Sequence, residues 1–238
     1  MDFCKVVMHI VQPGDTFYRL AQRYQTTVPD IIMHNPGVNP YNLQVGTRLR
    51  ICSGQLEGSS QKDELELNND MRKAWSDHGF WTAMYMLSRF YGLPGAGAVE
   101  ERLLQTPGEI ASVFGKFYLP AMVDQLKGLL TEHVELTGEL MNRLHNNDKE
   151  AAGQTEEKWR QNADNIARML SSANPKYNYD ELQRMMNLHL DLLKRQMMAE
   201  IDEDYNGFVQ ATDENGKHLL ELADALTAGL MKEFYQTR

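Results

Sequence analysis

The chain has 238 residues, 42% hydrophobic and 24% charged, with a net charge of −9 at pH 7, a composition unlike that of a wholly disordered chain and with room for one or two domains. Residues 1–53 carry 5 Lys/Arg against 3 Asp/Glu and the remainder 19 against 30, so an acidic main body speaks against nucleic acid as a partner. Nor does any apolar run approach the roughly 18 residues that a membrane span needs.

Met1-Asp2-Phe3-Cys4-Lys5 leads straight into the first strand, with no separate apolar stretch or small-residue cleavage site of the kind a secretory leader carries. Residues 6–11, Val-Val-Met-His-Ile-Val, are β-branched and apolar, and Pro13-Gly14 stops them as a turn. Asp15-Thr16 supplies a side-chain cap for a helix in which Phe17, Leu20, Ala21 and Tyr24 recur at helical spacing. Thr26-Thr27 caps a second helix with Pro29 in its first turn and Ile31 and Ile32 facing inward. Asn35-Pro36-Gly37 ends it, and residues 45–51 alternate as a second strand.

This βααβ pattern resembles the LysM module over nearly its full length. The residues that carry the resemblance are His9-x-Val11-x-x-Gly14-Asp15-Thr16, Leu20-Ala21-x-x-Tyr24, Ile32-x-x-Asn35-Pro36, Asn39-Pro40 and Leu43-x-Val45-Gly46-x-x-Leu49-x-Ile51. Phe17-Tyr18 departs from the family, where Leu followed by an aromatic is common. The resemblance implies binding of glycans that contain N-acetylglucosamine, such as peptidoglycan or chitin, in a groove between two loops. Carried over by residue, one wall is Gly14, Asp15, Thr16 and Phe17 and the other Asn35, Pro36 and Gly37. Independently of the family, main-chain amides in Gly/Pro/Asn loops can satisfy an N-acetyl sugar at little side-chain entropy cost. Each such bond contributes only about 0.5–1.5 kcal/mol, so one module binds weakly and repetition adds avidity. A LysM module near an N-terminus without a leader resembles spore coat and spore envelope proteins. This suggests a cell wall or spore envelope location; the alternatives are a leader absent from this sequence, or a cytoplasmic protein that binds cytosolic or released wall fragments. Cys4 and Cys52 bracket the module; antiparallel pairing of the end strands brings them near enough for a disulfide, or they stay reduced.

Residues 54–63 read as a flexible linker, small and polar. Beyond it the periodicity is helical. A helix over 64–91 carries Leu67, Met71, Trp75, Phe80, Trp81, Met84 and Leu87. Short pieces follow to Leu104 and over 107–114, then helices over 120–146 and 149–172, and two more over 178–210 and 213–235, separated near Thr212. The fold class expected is α+β, with a LysM module (1–53) joined to a mainly α-helical antiparallel bundle (64–238). With its D-H-x-x-W-T, L-L-T-E-H, W-x-x-N-A-x-x-I-A, S-S-x-N-P and H-L-x-L segments, the region over about 70–238 resembles a helical domain common in Firmicutes proteins of unassigned function.

Asp77-His78-x-x-x-Thr82, Glu132-His133-x-x-x-Thr137 and Leu188-His189-x-x-x-Leu193 place one histidine on each of three helices, 55 and then 56 residues apart. Convergent, His78, His133 and His189 could hold a divalent metal as a His₃ site, an arrangement with an architectural precedent in bundles resembling the DinB group. The plainer reading is three histidines satisfying polar groups in the core. The Glu-x-x-His pattern of di-iron bundles is missing, and Asp164, Asp204 and Asp224 could orient the imidazoles but equally read as ordinary helix-surface acids. No nucleophile motif occurs, and Glu132 lacks a marked carboxylate partner for glycoside hydrolysis. A non-catalytic, glycan-anchored protein is therefore expected, with a metal-dependent hydrolase bundle as the alternative and self-association through the bundle as a further expectation.

Overall fold

The computed structural model describes residues 5–54 and 61–234. At the N-terminus, β1 (Lys5–Ile10) pairs antiparallel with β2 (Arg48–Ser53), in a register that runs from Lys5 opposite Ser53 to Ile10 opposite Arg48. Alternation turns His9, Leu49 and Ile51 inward and leaves Val6, Met8 and Arg50 to solvent. Two helices cover the inner face. For α1 (Phe17–Tyr24) the cap is Thr16, whose side chain accepts from Arg19 N–H, and for α2 (Val28–His34) it is Thr27, which accepts from Asp30 N–H. The second strand starts three residues later than its alternation predicts. Gly46 adopts φ +87° and its N–H bonds to Val11 O at 2.9 Å, so 45–47 form a turn and Val45 is exposed. Cys52 is buried opposite Val6, while Cys4 lies outside the described residues.

The remaining chain is helical: α3 (Gln61–Phe90), α4 (Ala96–Leu103), α5 (Thr106–Phe114), α6 (Pro120–His145), α7 (Lys149–Ala173), α8 (Tyr179–Ile201) and α9 (Tyr205–Phe234). Packing runs α3, α9, α8, α7, α6, and α5 lies against both α3 and α6. One core built on residues such as Met86, Trp159, Leu190 and Leu226 runs through it. Three expectations need correcting. First, α3 begins at Gln61, inside the segment read as linker. Second, the break between the last two helices falls at 202–204, not near Thr212. There Glu203 takes φ +56° and the Asp204 carboxylate accepts from Gly207 N–H at 2.9 Å, capping the last helix. Thr212 gives its hydroxyl proton to Phe208 O at 2.8 Å and the helix continues. Third, Phe80 is exposed, and the inward face of α3 instead turns through His78, Thr82 and Tyr85.

The module docks on the bundle through the outer face of α1. Tyr18 O–H and the Gln22 amide both donate to the Glu233 carboxylate. The Tyr18 ring stacks on Tyr118 at 6.2 Å and meets Phe234 edge-on at 6.0 Å. Burial, and then the Glu233 carboxylate, raise the Tyr18 phenol well above its ordinary value, which keeps it a donor.

Candidate functional site

The α1–α2 connection is tight, with Gln25 in the left-handed region at φ 50°, and the two helices pack on each other. Helices joined by so short a turn send the chain entering the first and the chain leaving the second out at the same end. The segment 12–16 and the segment 35–37 therefore flank one end of the pair. Gln12, Pro13, Gly14, Thr16, Pro36 and Gly37 are all exposed with the bundle in place, so the helical half leaves this end open.

What holds these loops is side-chain chemistry turned inward. Asp15 Oδ2 accepts from Gln12 N–H at 2.8 Å and from His9 Nε2 at 2.7 Å, while Arg23 approaches Oδ1 at 3.2 Å. The Gln12 N–H, followed by the His9 and Arg23 contacts, holds the Asp15 carboxyl below its usual value against the opposing effect of burial. With Nε2 donating to Asp15, His9 Nδ1 accepts from Tyr24 O–H at 2.8 Å. Asn35, only 7% exposed, ties α2 to β2: its Nδ2 donates to Ile31 O at 2.7 Å and Arg50 O at 2.8 Å, and its Oδ1 accepts from Arg50 N–H at 2.7 Å. Phe17 is 1% exposed and sits in the module core. Gly14 and Gly37 adopt φ +85° and +91°, and nothing lies within 4 Å of where a Cβ on Gly37 would sit. The two loops thus present main chain, shaped by residues whose side chains are occupied elsewhere.

Residues 9–51 match the LysM domain. A LysM domain implies binding of N-acetylglucosamine-containing glycans such as peptidoglycan, and the strand–helix–helix–strand architecture agrees with that match. Searches for similar curated proteins and similar solved structures found no match. The LysM match covers the module alone.

In the bundle the structure brings together the three histidines that the sequence spaced evenly. His78 on α3, His133 on α6 and His189 on α8 are 4%, 2% and 0% exposed, and one ring nitrogen from each lies within 4.8 Å of the other two. Their ring centroids are 5.5–6.0 Å apart. Burial pushes the His78 and His133 imidazoles down to about 4 and about 3, with His78 adding to the effect at His133, so both stay neutral at pH 7. The H-x-x-x-T spacing has a structural counterpart. Thr82 and Thr137 each give a hydroxyl proton to the carbonyl of the histidine one turn earlier, at 2.7 Å, and Thr137 also accepts from Trp159 Nε1–H at 3.0 Å. Trp159 in turn stacks against His133 at 5.8 Å.

Of the two readings of Asp164, Asp204 and Asp224, the structure agrees with helix-surface acids rather than groups that orient these rings. Asp164 accepts from Arg168, Tyr179 and Gln183, Asp224 pairs with Arg72, and Asp204 caps α9. Orientation comes instead from two neutral residues that sequence reasoning missed, Thr106 at the start of α5 and Asn215 on α9. A signal for the second was present. Asn215 occupies an apolar-stripe position of α9 between Ala211 and Leu219, where a polar residue is buried only with a partner. Glu132 is exposed and accepts from Asn162 Nδ2 at 2.7 Å.

Proposed function

We propose that this protein is a non-catalytic wall-associated protein. The LysM module holds the N-acetylglucosamine units of peptidoglycan between 14–17 and 35–37, and the bundle is the part displayed at the cell wall or spore envelope. One observation carries the reading: Gln12, Pro13, Gly14, Thr16, Pro36 and Gly37 stay exposed although Tyr18 and Gln22 of α1 are docked on the bundle. The ligand chemistry follows. An N-acetyl group offers a carbonyl acceptor and an N–H donor that loop amides and carbonyls complement, whereas a glucose polymer has only hydroxyls there. A module with 5 basic against 3 acidic residues within 1–53 also suits an anionic wall better than the acidic remainder does.

The test is a comparison of two soluble oligosaccharides of equal length, one of N-acetylglucosamine and one of glucose, titrated into the full chain with amide shifts followed by NMR. The expected result is binding of the acetylated oligomer alone, with shifts confined to residues 12–17 and 35–38, and competition with sedimentation on purified peptidoglycan. Equal binding of both oligomers, or shifts centred on the bundle, would overturn the assignment.

A further inference from the structure

Donor and acceptor accounting at the ring nitrogens of the three buried histidines leaves a deficit of one kind, and the unpartnered Trp75 Nε1–H, on a ring packed edge-on against His78, bonds to none of them. Thr106 gives its hydroxyl proton to Leu103 O at 2.8 Å, so toward His78 Nδ1, 3.1 Å away, it can only accept. His78 therefore carries its proton on Nδ1 and presents a bare lone pair at Nε2. His189 Nδ1 lies 2.8 Å from Asn215 Oδ1, which fixes the same tautomer and again leaves Nε2 as a lone pair. His133 has no hydrogen-bond partner at either nitrogen among the described residues, and neither do the Nε2 atoms of His78 and His189. Three neutral rings thus carry three unpartnered lone pairs and a single N–H in one buried cluster, and His133 can turn only one of its two nitrogens toward the other rings. That N–H can satisfy one lone pair and no more. Each buried polar atom left without a partner costs about 1–3 kcal/mol, so an empty trio would be a standing penalty in the middle of the core. A cluster of lone pairs short of donors is what a cation relieves.

We propose that His78, His133 and His189 bind one divalent first-row transition-metal ion of the zinc class. Nε2 of His78 and His189 and one ring nitrogen of His133 are the ligands, and a fourth position is left for a small exogenous ligand. An all-imidazole set selects zinc, copper, nickel or iron over calcium and magnesium, which take oxygen ligands. Nitrogens at about 2.0–2.1 Å from a tetrahedral ion stand about 3.4 Å apart. The observed spread of up to 4.8 Å therefore closes by about 1.4 Å at most, within reach of side-chain rotation. Thr106 and Asn215 act as positioning residues, holding two rings in the ligating tautomer from two further helices. The ion would then link α3, α6 and α8 directly and α5 and α9 through those hydrogen bonds. This inference does not depend on glycan binding by the LysM module.

The experiment uses the full chain produced without a histidine tag, unfolded in chelator, and refolded with or without zinc or cobalt. After removal of loose metal, elemental analysis should give one ion per chain. Cobalt should give the visible absorption of a low-coordinate nitrogen site, and zinc should raise Tm. His133→Ala should lose the ion and the zinc-dependent Tm shift, and the surface control His145→Ala should keep both. Because His133→Ala could disturb folding, Asn215→Leu serves as the second variant: it retains all three ligands and should weaken binding by about 10–100-fold without abolishing it. A chain that refolds with the same Tm with and without metal and holds none would overturn the proposal and leave the trio as a hydrated polar pocket. So would one whose metal content is unchanged in His133→Ala.

Discussion

Asn35→Ala separates two roles that sequence alone merges at this position. The side chain makes three hydrogen bonds of 2.7–2.8 Å to the backbone of α2 and β2. At about 1 kcal/mol each, with part of the Arg50 N–H deficit recovered by water because Arg50 is exposed, removal costs about 2–4 kcal/mol. A module this small rarely holds more than about 3–5 kcal/mol from its core, so the variant module sits close to its unfolding midpoint. Apparent glycan affinity then falls in proportion to the folded fraction, although no sugar contact has been deleted. Hydrogen-exchange mass spectrometry on β2 peptides should show protection reduced by about 10²-fold, at 1.4 kcal/mol per decade. Titration with an N-acetylglucosamine oligomer should show affinity recovering when a stabilising osmolyte is added. Unchanged protection with lost affinity would refute the reasoning and put the Asn35 amide directly on the sugar.

Asp15 sets an acid limit on the same module. Its carboxyl titrates below the unfolded value of 3.8, so the stabilisation is complete above about pH 3.8 and is lost as pH falls through the lower folded value; urea midpoints should show an acid step that Asp15→Asn abolishes. In the bundle, a Cβ on Gly229 would lie 1.9 Å from Tyr177 Cε1, and Tyr177 O–H donates to Leu226 O at 2.6 Å. Overpacking of about 1–3 kcal/mol and a strained hydrogen bond outweigh the helix-propensity gain of about 1 kcal/mol, so Gly229→Ala should lower Tm by about 3–10 °C. Gly153→Ala, with nothing within 4 Å, should raise it; the same sign in both variants would undo the packing argument. Reduction distinguishes the two readings of Cys4 and Cys52, a bond or two thiols; a bond would close most of the module into one loop worth about 4 kcal/mol by chain entropy. Melting of the module unchanged by reductant would refute the pairing.

Most of the module's architecture is legible in the sequence because its determinants are local. Thr16 and Thr27 announce the two caps, Gly14 and Gly37 occupy backbone positions with positive φ, and strand alternation fixes which face is buried. Even there, residue type misleads about orientation: Phe17 and Asn35 belong to the expected loops, yet their side chains are consumed by the core and by β2. The misplaced helix break has a similar cause. The acidic run 202–204 is a solvated face that also holds the cap of α9 at Asp204, and Thr212 suggests an ending although its hydroxyl bonds back to Phe208 O within a continuous helix.

The histidine trio is of another kind. Even spacing along the chain puts one imidazole on each of three helices, but whether they meet depends on how α3, α6 and α8 are rotated about their axes, which only the packed core decides. The orienting groups depend on it further. A carboxylate would be the obvious partner by sequence, yet burying one beside neutral imidazoles costs desolvation that a hydroxyl and an amide avoid. Thr106 and Asn215 therefore do with dipoles what Asp164, Asp204 and Asp224 could have done with charge. Those acids remain near the surface, where Arg168, Arg72 and the start of α9 already engage them.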